Sequence, residues 1–251
     1  MCVDVSRNHV HHFAGSGIRA DRSDWVTISQ NTVYGNTWWT SNAPSAIVFA
    51  ESEGTGENTI SGNAVYGNRN FMPFFIFNMP QYGGTNTSSY GDWNQGHIID
   101  GSGVYITRNL AYEGTFKLIN NIAFDNGING LVVHKTTHEN VTVEVRNNTI
   151  FDNGQTDPAI EGRQQAGGLT VNSGGAGTVS NVELMSNKVT TGSSDVAYQC
   201  FGSCVLSEES AWNKACGSSP SDKFEPSAFM DYDCSSIASE NDAIKAQYSP
   251  S

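Results

Sequence analysis

Val26-Thr27-Ile28-Ser29-Gln30-Asn31-Thr32-Val33-Tyr34-Gly35-Asn36 is a phrase that returns along the whole chain. In general form it reads apolar-x-apolar-x-x-Asn-x-apolar-aromatic-x-Asn. Ile60, Asn63, Val65, Tyr66 and Asn68 repeat it, as do Phe116, Leu118, Asn121, Phe124 and Asn126, and then Val143, Val145, Asn148, Ile150, Phe151 and Asn153. Val182, Leu184, Asn187 and Val189 form a weaker copy. Val3, Val5, Asn8 and Val10 fit the same frame, so the first residues are expected to lie inside a repeat.

A second phrase keeps its place between the copies of the first: Gly17-Ile18-Arg19-Ala20, Ala46-Ile47-Val48-Phe49, Gly103-Val104-Tyr105-Ile106, Gly130-Leu131-Val132-Val133 and Gly168-Leu169-Thr170-Val171. Alternation within each phrase means strands, because side chains at i and i+2 share a face. Strands this short bury a face only when copies stack on one another. A period of roughly 20 to 30 residues leaves little room for a helix between strands, so the coils are expected to stack in parallel. The Asn residues are then expected at one bend of each coil, hydrogen-bonded up the stack and to amides the turn leaves unpaired. A leucine-rich repeat also carries an Asn position, but its Leu-x-x-Leu-x-Leu frame is missing here.

Composition agrees with many short strands. Of the 251 residues, 37% are hydrophobic and only 15% charged, and the 26 glycines mark frequent turns. The expected organisation is one domain, 1–192, of coils with an aromatic-rich insertion at about 69–100, followed by a Cys-containing extension, 193–251, packed on the coils. A net charge of −12 repels a phosphate backbone, which argues against a nucleic-acid partner. The strongest apolar run, 71–79, is far shorter than the roughly 18 residues of a membrane span and contains Pro73 and Asn78.

Cys200, Cys204, Cys216 and Cys234 cluster in the extension, where the strand signals fade. Two disulfides stapling an irregular tail are the expected arrangement, with Cys2 left over. Zinc is the competing reading, but the tail contains no His and its spacing is not that of paired knuckles. Sequons at Asn86, Asn140 and Asn147 are compatible with secretion. No charged-then-apolar leader precedes the first repeat.

Through its Asn-x-Val-Tyr-Gly-Asn phrases at Asn31 and Asn63 and their relatives, the chain resembles the pectate-lyase-like superfamily over about residues 3–190. The resemblance implies an all-β, right-handed, single-stranded parallel β-helix, and an extracellular protein that acts on or binds a polysaccharide. Calcium is common among the lyases resembled, although no dedicated Asp-rich loop occurs here. The family's better-known catalytic signatures are also missing: there is no Arg-x-Pro-x-x-Arg stretch, no Asn-Thr-Asp and no Gly-His-Gly. Some alginate and chondroitin lyases of the superfamily use a Lys and an Arg from neighbouring coils, a pairing that Arg108 and Lys135 would imitate.

Candidate site residues follow from aligning the second phrase. Past the inward residues come Asp21 and Arg22, Ala50 and Glu51, Thr107 and Arg108, His134 and Lys135, and Asn172 and Ser173. With coils about 4.8 Å apart, Arg22, Glu51, Arg108 and Lys135 are expected to form a locally basic edge on an acidic protein. β-Elimination of a uronate needs a cation to neutralise the carboxylate, a base for the neighbouring proton and an acid for the leaving oxygen. Lys135 or His134 is the expected base, with Arg108 or Arg22 neutralising; solvated strand-end charges would show the same residues.

Tyr82, Tyr90, Trp93 and Tyr105 are the expected sugar contacts, the first three from the aromatic insertion, with Arg163 from a shorter insertion before Gly168. A carboxylate pair such as Asp21 with Glu51, or Glu51 with Asp157, would instead support glycoside hydrolysis. The remaining alternatives are a glycan-binding or adhesive coil stack without catalysis, and a structural piece of a longer chain or oligomer. His9, His11 and His12 suggest a metal, but alternation is expected to split neighbours between faces, and His11 occupies the place of Tyr34, Tyr66, Phe124 and Phe151.

Overall fold

A computed structural model of the chain describes residues 2–39, 44–71, 100–155, 167–190, 196–201, 203–206, 214–216 and 234–248. It is nearly all strand, and among the described residues the strands form three parallel sheets of seven, seven and six members and one two-stranded pair. The first sheet stacks Val3–Ser6, Val26–Ser29, Glu57–Ser61, Thr115–Ile119, Thr142–Arg146, Thr178–Met185 and Ser203–Leu206. His9–His11, Thr32–Tyr34, Ala64–Tyr66, Ile122–Phe124, Thr149–Phe151, Lys188–Thr190 and Lys214–Cys216 make the second. The third holds Ile18–Asp21, Ser45–Ala50, Ser102–Thr107, Asn129–His134, Gly167–Asn172 and Val196–Phe201. Each coil visits the sheets in that order, which is the expected right-handed parallel β-helix.

Register sets the core. Ile28, Ile60, Leu118, Val145 and Leu184 pair in sequence on the first sheet. Val33, Val65, Ala123, Ile150 and Val189 do so on the second. Ile47, Val104, Leu131 and Leu169 complete the core from the third. All of these are fully buried, each Val, Leu or Ile contributing about 1.5–3 kcal/mol by leaving water.

The first Asn of each phrase lies at the corner between the first and second sheets. Asn8, Asn31, Asn63, Asn121, Asn148 and Asn187 form a continuous ladder in which each Nδ2 donates to the next Oδ1 at 2.9–3.1 Å. The interior amides of the ladder, Asn31, Asn63, Asn121 and Asn148, are saturated. Asn121, for example, donates also to the Ile60 carbonyl, and its Oδ1 accepts the Asn63 backbone N–H. The second Asn of each phrase builds a separate ladder, Asn36, Asn68, Asn126 and Asn153, at the corner between the second and third sheets. The expectation of a single Asn bend is therefore corrected to two, because a three-residue strand separates the two amides of each phrase.

Among the described residues most corners turn on one residue in the left-handed region, whereas the third corner after Asn172 uses Gly174 and Gly175. At the first corner the single residues are Arg7, Gln30, Gly62, Asn120, Asn147 and Ser186; at the second, His12, Gly35, Gly67, Asp125 and Asp152. Arg22, Glu51, Arg108 and Lys135 hold the third corner.

Two further differences from the sequence reading concern the C-terminal quarter. Pairing continues beyond residue 192, since Thr190 pairs with Cys216 and Val171 with Cys200. The extension also contains a helix, Cys234–Tyr248. It packs on the outer aromatic column of the second sheet, with the Tyr248 ring 5.7 Å from Tyr66 and Lys245 paired to Asp152. Lys188 and Glu240 add an ion pair at 2.7 Å. The side chains of Cys200, Cys204, Cys216 and Cys234 lie outside the described residues; Cys2 is an exposed free thiol.

Replacing Asn121 by Ala removes two donors and two acceptors from a fully enclosed corner. Equilibrium urea unfolding is expected to show a loss of about 2–4 kcal/mol. A midpoint and slope equal to those of the parent chain would mean that the ladder does not hold the coils together.

Candidate functional site

The third corner brings together the residues that the sequence aligned. Asp21, Ala50, Thr107, His134 and Asn172 follow one another in register across the outer face of the third sheet. The next residue of each coil continues the ladder: Arg22 N–H donates to Ala50 O, Glu51 N–H to Thr107 O, Arg108 N–H to His134 O and Lys135 N–H to Asn172 O. Because these four residues have φ of 50°, 56°, 55° and 46°, their side chains swing off the end of the sheet as one row. Glu51 accepts from Arg22 at 3.0 Å and lies 3.5 Å from Arg108. Lys135 has no ion pair among the described residues.

A left-handed backbone costs a residue with a Cβ roughly 1–2 kcal/mol. Gly, Asn and Asp share the other two corners with longer residues, whereas all four at the third are charged. Below the row, Ser52 N–H donates to Asn109 Oδ1 at 2.8 Å, and Asn109 Nδ2 donates to Thr136 Oγ1 at 3.2 Å. Ser52, Asn109 and Thr136 thus take the place of the Asn ladder at this corner.

His134 is the chemical centre of this edge. Its Nδ1 lies 2.8 Å from the Tyr105 hydroxyl and 2.9 Å from Thr107 Oγ1, and its ring stacks on Tyr105 at 5.7 Å. Burial, with the Lys135 and Arg108 charges beside it, pushes its pKa down to about 4. The imidazole is therefore neutral at neutral pH. Burial and the Asp100 charge push the Tyr105 hydroxyl well above the usual phenol range. Nε2 faces the turn at Gly174, where an added Cβ would stand 2.6 Å from Nε2 and 2.3 Å from Lys135 Cε. Gly174 itself is fixed by its N–H donating to Asn172 Oδ1 at 2.7 Å.

The surrounding outer face was not anticipated. Val48, Ala50, Thr107, Val132 and Thr170 point away from the core, yet all are buried. Thr170 Oγ1 donates to Asn129 Oδ1 at 3.0 Å in the same face. The uninterrupted apolar run Ala46-Ile47-Val48-Phe49-Ala50 carried the signal, since a strand buried on both faces loses its polar alternation. Tyr105, expected as a sugar contact, instead reaches the edge through His134.

Other candidates are less well placed. Asp21 pairs with Arg19 at 2.7 Å, and Glu51 pairs with two arginines. Tyr82, Tyr90, Trp93, Asp157 and Arg163 lie outside the described residues. Among the described residues no three His, Cys, Asp or Glu side chains converge as a metal or calcium site, and no helix is long and apolar enough to cross a membrane. His11 joins the aromatic column as expected, 4.9 Å from Tyr34. Alternation does not, however, separate it from His12: the positive φ of His12 turns both rings to one side.

A family model described as the right-handed β-helix region matches residues 3–204. Neither a curated protein nor a solved structure matches the chain.

The depressed His134 pKa has a sign that can be measured. The ordinary value is 6.5 and the folded value about 4, so between those limits the unfolded chain binds a proton that the folded chain does not. Stability should therefore rise as pH climbs from 4 to 6.5, by on the order of 2 kcal/mol from this group. In His134→Gln that component disappears. Urea midpoints of the two proteins that run parallel across this range would contradict the assignment.

Proposed function

We propose that this chain, which belongs to the right-handed β-helix family, is an extracellular protein that cleaves an acidic polysaccharide by β-elimination at the third corner. One observation carries the reading: the His134 imidazole is fixed on the outer face by Tyr105 and Thr107, at the end of the strand that leads into Lys135 and beside the corner that carries Arg108. A uronate needs those groups together. Its carboxylate must be neutralised before the neighbouring carbon becomes acidic, and its proton must meet an unprotonated base.

In this reading Arg108 and Lys135 hold the carboxylate, and Arg22 and Glu51 extend the edge that receives the chain. His134 takes the proton from the carbon bearing the carboxylate through Nε2, with Nδ1–H donated to Thr107 or Tyr105. The electron pair left behind forms a carbon–carbon double bond and expels the glycosidic oxygen from the adjacent carbon. The imidazolium, destabilised by the neighbouring cations, returns its proton to the departing oxygen. Atoms and charge balance without a cofactor in the step. A carboxylate bound between Arg108 and Lys135 also offsets the charges that depress His134, which makes the base stronger when substrate is present.

Secretion also accords with the two exposed sequons at Asn140 and Asn147 and with the four clustered cysteines, which we assign to two disulfides.

Incubation with alginate, pectate and chondroitin, followed by ultraviolet absorbance of the unsaturated product, tests the reading directly. His134→Ala and Lys135→Ala are each expected to lower kcat/KM by roughly 10²–10⁴-fold, with the circular dichroism of the parent retained. Binding of these polymers with no unsaturated product would identify a non-catalytic glycan-binding protein. Release of reducing ends without the absorbance would identify a hydrolase.

A further inference from the structure

At the open edge of the second sheet, His11 and His12 bring their two Nδ1 atoms to 2.7 Å from each other, with ring planes at 88°. Adjacent residues in a strand point to opposite faces, so this convergence has a specific cause. His12 has φ 60°, in the left-handed region that the next two coils fill with Gly35 and Gly67. A Cβ-bearing residue at that corner is disfavoured by roughly 1–2 kcal/mol, and with His at this position the turn brings two imidazoles together. Both rings are also held in place. His11 stacks on Tyr34 at 4.9 Å, the His12 ring meets the Tyr34 ring at 79°, and the His12 carbonyl accepts from Trp38 Nε1 at 3.4 Å.

We propose that His11 and His12 form a two-nitrogen site for a divalent transition metal of tetragonal preference, Cu2+ before Zn2+. Two ring nitrogens bound at right angles, each about 2.0–2.1 Å from a metal, stand roughly 2.9 Å apart. The present separation is short of that by little more than a rocking of the rings. For a site of imidazole and water ligands the order of divalent affinities places Cu2+ above Ni2+ and Zn2+. Water completes the coordination, since both residues are exposed. The site lies on the second sheet and is independent of the chemistry proposed at the third corner.

The sequence supplies its own controls, because later coils carry Tyr at the His11 position and Gly at the His12 position. His11→Tyr keeps the aromatic column and His12→Gly relieves the backbone, so neither change threatens folding. Cys2 is an exposed thiol, so the Cys2→Ser chain is the parent for titration with Cu2+ against a competing chelator, read by electron paramagnetic resonance. The parent is expected to bind one ion with splitting from two nitrogens. Either histidine substitution should weaken binding by at least roughly tenfold and abolish that splitting, while His9→Ala changes neither. Unchanged affinity in both variants, a parent spectrum without two-nitrogen splitting, or an equal loss in His9→Ala would overturn the site, leaving a simple hydrogen bond between the rings.

Discussion

A buried carboxamide that finds four partners in the coils above and below is the constraint on which this molecule rests. A turn in every coil leaves backbone amides facing inward, and an enclosed amide without a partner costs as much as a lost hydrogen bond or more. Asn meets the need because its side chain carries two donors and two acceptor sites, and it can pass one of each to its neighbours in the stack. The ladder also tolerates uneven coils. Successive members are separated by 23, 32, 58, 27 and 39 residues, yet the amides stay in contact. Segments 72–99 and 156–166 fall within the two longest steps, so insertions leave the register untouched.

Fixed register is what turns a repeat into a site. Arg22, Glu51, Arg108 and Lys135 are far apart in the chain and adjacent in space only because the corners superpose. Ser52, Asn109 and Thr136, the residues that follow three of them, link their coils by hydrogen bonds below the row. Glu51 bridges the two arginines and moderates their charge. The positive field is thereby left strongest at Lys135, beside the imidazole.

Much of this was legible in the sequence, and the parts that were not share a physical cause. Alternation located the inward columns and the charged row correctly, since a strand has only two faces. It failed where the backbone leaves the strand. The two Asn residues of each phrase were assigned to one bend because a three-residue strand such as Thr32–Tyr34 presents a single inward residue, too few to show a period. His11 and His12 were assigned to opposite faces because the rule assumes extended backbone, which His12 abandons. Continuation of the coils to Cys216 escaped notice because, although Asn213 precedes Lys214–Cys216 in the sequence as Asn187 precedes Lys188–Thr190, Cys216 and Ser218 stand where the phrase elsewhere has its aromatic residue and second Asn. The hidden outer face of the third sheet was foreshadowed only by the loss of polar residues from Ala46-Ile47-Val48-Phe49-Ala50.

The neutrality of His134 follows from the same geometry that makes its edge attractive to anions. Arg108 comes from one coil, and His134 and Lys135 from the next, with Tyr105 and Thr107 set beneath the ring. Burial is the larger cause that suppresses the imidazolium, and the two cations add to it. An anion that settles between those cations removes the part of the suppression that is due to them while leaving the ring where it was. A solvated histidine gains far less from such an arrival, since water already screens it. The partial burial of the outer face is therefore part of the chemistry, because it lets one bound carboxylate change the proton affinity of a ring that it need not touch.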